Sequence, residues 1–329
     1  MYTNYYQLKE EPFRLTPDPR FLHMTEPYRA ALNALLYGVS MRRGIAVVTG
    51  PVGCGKTTLL HTLLELLAQG RISKGECASA LLVNPTLSRD EFFEVLLDEF
   101  EISCPSASKS QRLLALEKRF RAIDSRGGTS ILFLDEAHLL SIDLLEEIRL
   151  LTNIDTRNGK LLQVILSGQV ELFALLDKPE TRALRQRIAT RCQIPALALA
   201  DTRKYISERL RAAGLSGPEP FSTAAIEMVQ RYAQGMPRLI NLICDSCLAM
   251  GFEAHRKTIE ADMVHEAANA LDLREAQIVE PEVSRHLLSP LLPEAGKTLG
   301  STVDTLIQAM KTGMNEARAH AHLAVRESR

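Results

Sequence analysis

A chain of 329 residues is long enough for about two domains, and 46% hydrophobic against 24% charged residues is the composition of a globular protein with ample core. Lys and Arg total 39 against 40 Asp and Glu, a formal charge of -1, which excludes a generally basic nucleic-acid binder while leaving room for a local basic stripe. The start, MYTNYYQLKEEPFRLTPDPRF, lacks the basic-then-apolar layout of a signal peptide, and no run reaches the roughly 18 apolar residues of a membrane helix.

Residues 1–28 hold Pro12, Pro17, Pro19 and Pro27 beside Phe13 and Phe21. Prolines at this density bar a regular helix, so an extended strap is expected, packed on the body of the protein through its aromatics. YRAALNALLYGVSM (28–41) has helical periodicity. Strands are then predicted at 44–50, 79–86, 129–137 and 161–169, with a short edge strand at 192–197. The helices between them are predicted at 56–68, 88–100, 109–124 and 141–154, and RNG (157–159) makes a turn. Continuous apolar strands separated by helices imply a parallel sheet covered on both faces.

After Leu199 the strands stop, and helices read at 201–213, 222–233, 237–254 and 260–270. Beyond Leu273 the text is proline-dotted and aperiodic, ending in STVDTLIQAMKTGMNEARAHAHLAVRE, a helix without an obvious core. The expected division is a strap over 1–28, an α/β nucleotide-binding domain over 29–199, a small all-helical lid over 200–273, and a partly disordered linker and tail over 274–329.

VVTGPVGCGKTTLLHTLL (47–64) is a strand, a glycine-rich turn and an amphipathic helix, and contains G-x-x-x-x-G-K-T from Gly50 to Thr57. Gly50, Gly53 and Gly55 let the backbone curl so that its N–H groups face phosphate oxygens, and the helix N-terminus adds its dipole. Gly50, Pro51, Val52, Gly53, Cys54, Gly55, Lys56, Thr57 and Thr58 form the expected nucleotide-binding set. Lys56 would reach the β- and γ-phosphates, and Thr57 would ligand Mg2+. ILFLDEAH (131–138) supplies Asp135 to orient the Mg2+ shell and Glu136 to polarise water for attack on the γ-phosphate; a helix-start acidic pair is the alternative, disfavoured by the order and separation of the two motifs.

A small-molecule kinase needs a lid and a substrate pocket and would not need an acidic pair at this strand end, and a helicase would need a second sheet where this chain reads as helical. GMPRLIN (235–241) starts a helix that aims Arg238 back toward the nucleotide. TRALRQRIATRC (181–192) carries arginines that could enter a neighbouring subunit's site, Arg187 first and Arg185 second; for any single one, a solvated or nucleic-acid-facing role is the plainer reading. Six cysteines follow no pairing pattern, one of them inside the phosphate loop, so a reducing, cytoplasmic setting is expected. CDSC (244–247) lies within an apolar helix and reads as packing, and no chemistry is assigned to His61, His138 or His255.

Residues 2–271 resemble the AAA+ ATPases of the general secretion pathway protein A (ExeA-like) type. The marks are YYQLKEEPFRLTPDPRFL, GPVGCGKTTLL, LLVNPTLS, LFLDEAHLL, LLEEIRLLTNIDTRNGKLLQVILSGQVEL, LRQRI and GMPRLINLICD. The resemblance implies a P-loop NTPase fold with Walker A at Gly50–Thr57, Walker B at Asp135–Glu136, sensor 1 at or near Ser167, an arginine region at Arg185–Arg187 and sensor 2 at Arg238. It also implies ATP and Mg2+ as cofactors, ATPase activity and a homo-oligomer. Secretion-type members continue into a membrane helix and a periplasmic domain; this sequence is expected to be a cytosolic form without them, peripheral to the inner membrane through partners.

Two functions follow as expectations. The first is an ATP-hydrolysing switch or remodeller serving a protein partner in envelope secretion, pilus or exopolysaccharide export. The second is a DNA-associated regulator of transposition and target selection.

Overall fold

The computed structural model describes residues 2–16, 18–69, 75–104, 108–157 and 159–276. The expected linker and tail lie almost wholly outside the described residues. In chain order the main elements are α1 (Tyr2–Tyr5), α2 (Glu26–Ser40), β1 (Ile45–Thr49), α3 (Lys56–Ala68), β2 (Cys77–Leu82), α4 (Arg89–Glu99), α5 (Lys109–Ser125), β3 (Thr129–Leu134) and α6 (Ile142–Leu151). A two-residue hairpin follows, β4 (Asp155–Thr156) and β5 (Gly159–Lys160), then β6 (Leu162–Gly168), α7 (Glu171–Leu176), α8 (Arg182–Arg185) and β7 (Ile188–Gln193). Last come α9 (Leu199–Ala212), α10 (Thr223–Ala233), α11 (Pro237–Glu253) and α12 (Ala261–Ala270).

Five strands form one parallel sheet in the order β2-β3-β6-β1-β7. Every residue of β1, β3 and β6 is buried, which is why these strands read as unbroken apolar runs rather than alternating ones. One face is covered by α2 and α3, where Leu32, Leu35, Leu59, Leu63 and Leu66 meet Val48, Phe133 and Ile165. The other is covered by α4, α5 and α6, where Phe92, Leu96, Phe120 and Ile148 meet Val47, Leu132 and Leu166. The register aligns the carboxyl ends: Thr49 pairs with Gly168 and Gln193, and Leu134 with Leu166 and Leu82. The loops carrying chemistry therefore emerge together at one edge.

The strap packs through its aromatics and departs from expectation in its first residues. One turn of helix, α1, forms upstream of the first proline, and the strap's apolar residues pack with the C-terminal helices. Tyr6, Leu8, Phe13 and Phe21 share a core with Tyr205, Leu210, Ile240 and Val264. Arg209 ties the two together: its Nε donates to the Pro12 carbonyl at 2.6 Å and one terminal nitrogen to that of Arg14 at 3.1 Å. The strap ends as α2 begins, capped by Thr25, whose hydroxyl accepts the Tyr28 N–H, with Pro27 in the first turn.

Strand boundaries also differ: β2 is Cys77–Leu82 where 79–86 was predicted, and β7 ends at Gln193 rather than at 197. β3 stops at Leu134, three residues short of the predicted end, because Glu136 adopts φ 50° and turns the chain into a short 3-10 helix, Ala137–Leu139. The edge strand β7 begins at Ile188, four residues before the predicted start, with Arg191 on its half-exposed flank.

Candidate active site

β1 delivers the glycine-rich loop, and α3 begins directly after it. Gly53 and Gly55 have φ of 78° and 100°, a region other residues rarely occupy. A Cβ on Gly53 would also stand 2.9 Å from the Cβ of Arg238, so glycine lets the C-terminal helices close on the loop. Gly55 offers no side-chain cap to α3, which leaves the first-turn N–H groups for an anion. Lys56 is buried, its Nζ donating to the carbonyls of Gly50 at 3.0 Å and Pro51 at 2.9 Å. The ammonium is thus held within the loop by weak neutral acceptors, which a phosphate oxygen can outcompete. Cys54 is buried beside it, and burial pushes its thiol up.

Asp135 follows the last residue of β3 and is 2% exposed. Its Oδ2 accepts from the Thr57 hydroxyl at 2.6 Å, and its Oδ1 from the Ser167 hydroxyl at 2.8 Å and the Glu136 N–H at 3.0 Å. One carboxylate therefore links the first turn of α3, the end of β3 and the end of β6. A buried carboxylate one hydrogen bond from a threonine hydroxyl is an all-oxygen donor set, and it fits Mg2+, which takes few protein ligands and keeps its waters. Thr57 would hold the ion directly and Asp135 would orient its water shell.

Glu136 lines the cleft, with its side chain 39% exposed. One of its carboxylate oxygens, Oε2, is nevertheless buried without a hydrogen-bond partner and lies 3.4 Å from Nδ1 of His138. His138 in turn meets Gln169. Sequence reasoning left His138 without a role, and spacing alone carried no signal for it; the contact depends on the left-handed turn at Glu136.

The cleft has a volume of about 360 Å³. Its floor is residues 52–58 with Glu136; Leu22, His23 and Thr25 come from the strap, and Tyr205, Arg209 and Arg238 from the C-terminal helices. The strap and α9 contributions were not foreseen; the only sequence signal was the strap's need for an apolar surface. Arg238 sits in the first turn of α11, its backbone N–H donating to the Gly53 carbonyl at 3.3 Å and its side chain exposed along the cleft.

Arg185 and Arg187 lie elsewhere. They precede β7, whose first residue pairs with Ile45 at the amino end of β1, whereas the phosphate loop follows its carboxyl end. Five residues at about 3.3 Å each separate the two ends by about 16 Å. Arg185 pairs with Asp177 at 2.6 Å, and Arg187 donates to Asn153 and to the Arg149 carbonyl. Neither can serve the site of its own subunit in this arrangement. Cys244 and Cys247 are fully buried within α11, in agreement with a packing role.

Residues 39–176 match the family described as an AAA domain. General secretion pathway protein A of Aeromonas hydrophila is 37% identical over 265 residues, which is 80% of this chain and 47% of that protein. The chain thus spans about half the length of the curated relative it matches. Among solved structures, Drosophila ORC bound to DNA superposes with a TM-score of 0.60 at 19% identity, over 96% of this chain and 82% of that one. The Aeropyrum pernix ORC2 protein in its ADPNP–ADP complexes gives 0.59 at 16% identity, over 80% and 71%. At these identities the likeness shows the fold, a P-loop NTPase sheet with a helical C-terminal part.

Proposed function

Because this chain carries an AAA domain of the general secretion pathway protein A type, we propose that it binds ATP with Mg2+ in the cleft and hydrolyses it, coupling turnover to self-assembly and to remodelling of a protein partner. The observation that carries the reading is Asp135, bonded at once to Thr57 and Ser167 with Glu136 next in the chain facing the cleft. In this reading the loop N–H groups and Lys56 hold the phosphates, Thr57 and Asp135 hold Mg2+ and its waters, and Glu136 takes a proton from the attacking water. Ser167 fixes Asp135, and Arg238 brings the C-terminal helices onto the phosphates. When bound there, Mg2+ would supply charge neutralisation to the phosphates.

The partner belongs to an envelope secretion, pilus or exopolysaccharide export system, supported by the relative's name and by 37% identity over most of this chain. The test is a pair of measurements on three proteins: binding of a fluorescent ATP analogue, and phosphate release. Lys56→Ala is expected to lose binding, and Glu136→Gln to keep binding while losing hydrolysis. Phosphate release at the wild-type rate in Glu136→Gln would overturn the assignment.

A further inference from the structure

The two oxygens of the Glu136 carboxylate have different surroundings. Oε2 is sealed in without a hydrogen-bond partner, while the exposed part of the side chain meets the cleft. Behind Oε2 stands the imidazole of His138, only 11% exposed, with Nδ1 at 3.4 Å. Its Nε2 lies 3.2 Å from the side-chain amide nitrogen of Gln169, and its Nδ1 also lies 3.4 Å from the backbone nitrogen of Gln169.

A neutral imidazole accepts on one nitrogen and donates from the other, so two arrangements compete. If the Gln169 amide donates to Nε2, the ring hydrogen sits on Nδ1, the nitrogen 3.4 Å from Glu136 Oε2. If the Gln169 backbone N–H holds Nδ1, the buried Oε2 faces a lone pair. The two contacts to Nδ1 are equally long, and an ionised carboxylate oxygen buried without a donor is a costlier outcome than a neutral backbone N–H without an acceptor. The first arrangement therefore prevails.

We propose that His138 is a positioning residue for Glu136: held as its Nδ1–H tautomer by the Gln169 side chain, it fixes one carboxylate oxygen and leaves the other turned to the attacking water. This rests on Glu136 being the group that activates water. The support comes from the same strand end that holds the metal-site carboxylate. Ser167 bonds Asp135, and Gln169, two residues on, bonds His138. Gly168 between them lets β6 meet this turn, since a Cβ there would stand 3.2 Å from the His138 backbone nitrogen. β6 thus sets the geometry of both Walker B carboxylates, one directly and one through an imidazole.

The experiment compares wild type with Glu136→Gln, His138→Ala, His138→Asn and Gln169→Ala in steady-state ATP hydrolysis, with affinity for a fluorescent ATP analogue measured alongside. His138→Ala should lower kcat about tenfold to a hundredfold, the range for removing an outer-shell partner, with nucleotide affinity unchanged. His138→Asn, whose amide nitrogen occupies the Nδ1 position, should recover most of that loss. Gln169→Ala should fall between them.

A His138→Ala protein that turns over as wild type, or that loses affinity in step with kcat, overturns the positioning role. Imidazole 15N shifts give a readout independent of turnover, with His138→Ala identifying the signal. A protonated Nδ1 is expected in wild type, and a protonated Nε2 overturns the proposal. Wild-type protein without hydrolysis, or with hydrolysis that survives Glu136→Gln, overturns the underlying reading instead, and the two failures are distinguishable within one data set.

Discussion

At Asp135 a single buried carboxylate accepts three hydrogen bonds, and each donor helps to hold it in place. Ser167→Ala takes away a bond of 2.8 Å to a charged acceptor. Hydrogen bonds to charged groups contribute about 1.5–3 kcal/mol, so thermal melting should register a loss of that order, with ATP turnover reduced beyond what unfolding explains. Thiols give a second residue-scale test. Burial pushes Cys77 up to about 11 and Cys192 and Cys247 up to about 12. The folded chain keeps these protons where the unfolded chain loses them near the usual thiol value of about 8.5. The stability they contribute is therefore complete below that value and is lost as pH rises from it toward 11 and 12. Urea midpoints should fall steadily above pH 9, and native labelling of Cys192 and Cys247 with a thiol reagent at pH 8 should be negligible until denaturant is added.

The residues of the phosphate loop and the acidic pair were legible because each sits in a local pattern: glycines where φ is positive, a lysine at a helix start, carboxylates at a strand end. His138 was not legible. Its role depends on a left-handed residue at Glu136 and on Gln169, 31 residues further along the chain, and no local period reports either.

At the scale of elements, helix starts follow from side-chain chemistry. Ser88 and Glu91 form a reciprocal capping box at α4, and Ser141 and Ser222 cap α6 and α10 by accepting the N–H of Leu144 and Ala225. Ser88→Ala should cost about 1 kcal/mol, read as a lowered urea midpoint with an unchanged slope. The longer helices were predictable to within two residues at either end because burial repeats at the helical period, except that α6 stops at Leu151, three residues before its predicted end. The short α1, α7 and α8 carry too few turns to show a period and were not predicted. β7 was harder: its burial alternates, Arg191 occupies its half-exposed face, and the arginines ahead of it gave the stretch the look of a basic cluster.

The strap illustrates a different limit. Its prolines announced an extended path, but which surface it covers depends on partners some 200 residues away. Phe13 is 1% exposed and meets Phe221 edge to face, with ring centroids 6.1 Å apart. Phe13→Ala should destabilise by about 3–5 kcal/mol through the cavity it opens. Since that cavity lies in the core shared with the C-terminal helices, nucleotide affinity should weaken as well, and titration with the fluorescent analogue checks the coupling.

For the whole molecule, the position of the arginines decides whether one chain suffices. The phosphate loop and the segment before β7 occupy opposite ends of the sheet, so a cation from 185–187 reaches a nucleotide only across a subunit boundary. Two variants separate this from a structural role. Glu136→Gln would abolish the chemistry of its own site while still offering Arg187 to a neighbour. Arg187→Ala would keep its own site while offering nothing. Each is expected to be inactive alone. Mixed in equal amounts, about one interface in four pairs an intact site with an intact arginine, so about a quarter of wild-type turnover should return. If Arg187 served only to hold Asn153 and the end of α6, mixing would return the mean of the two separate rates and no more. Gel filtration of Glu136→Gln with ATP is the companion measurement: an oligomer is expected, and a monomer at concentrations where the mixture is active would remove the basis for catalysis across a boundary.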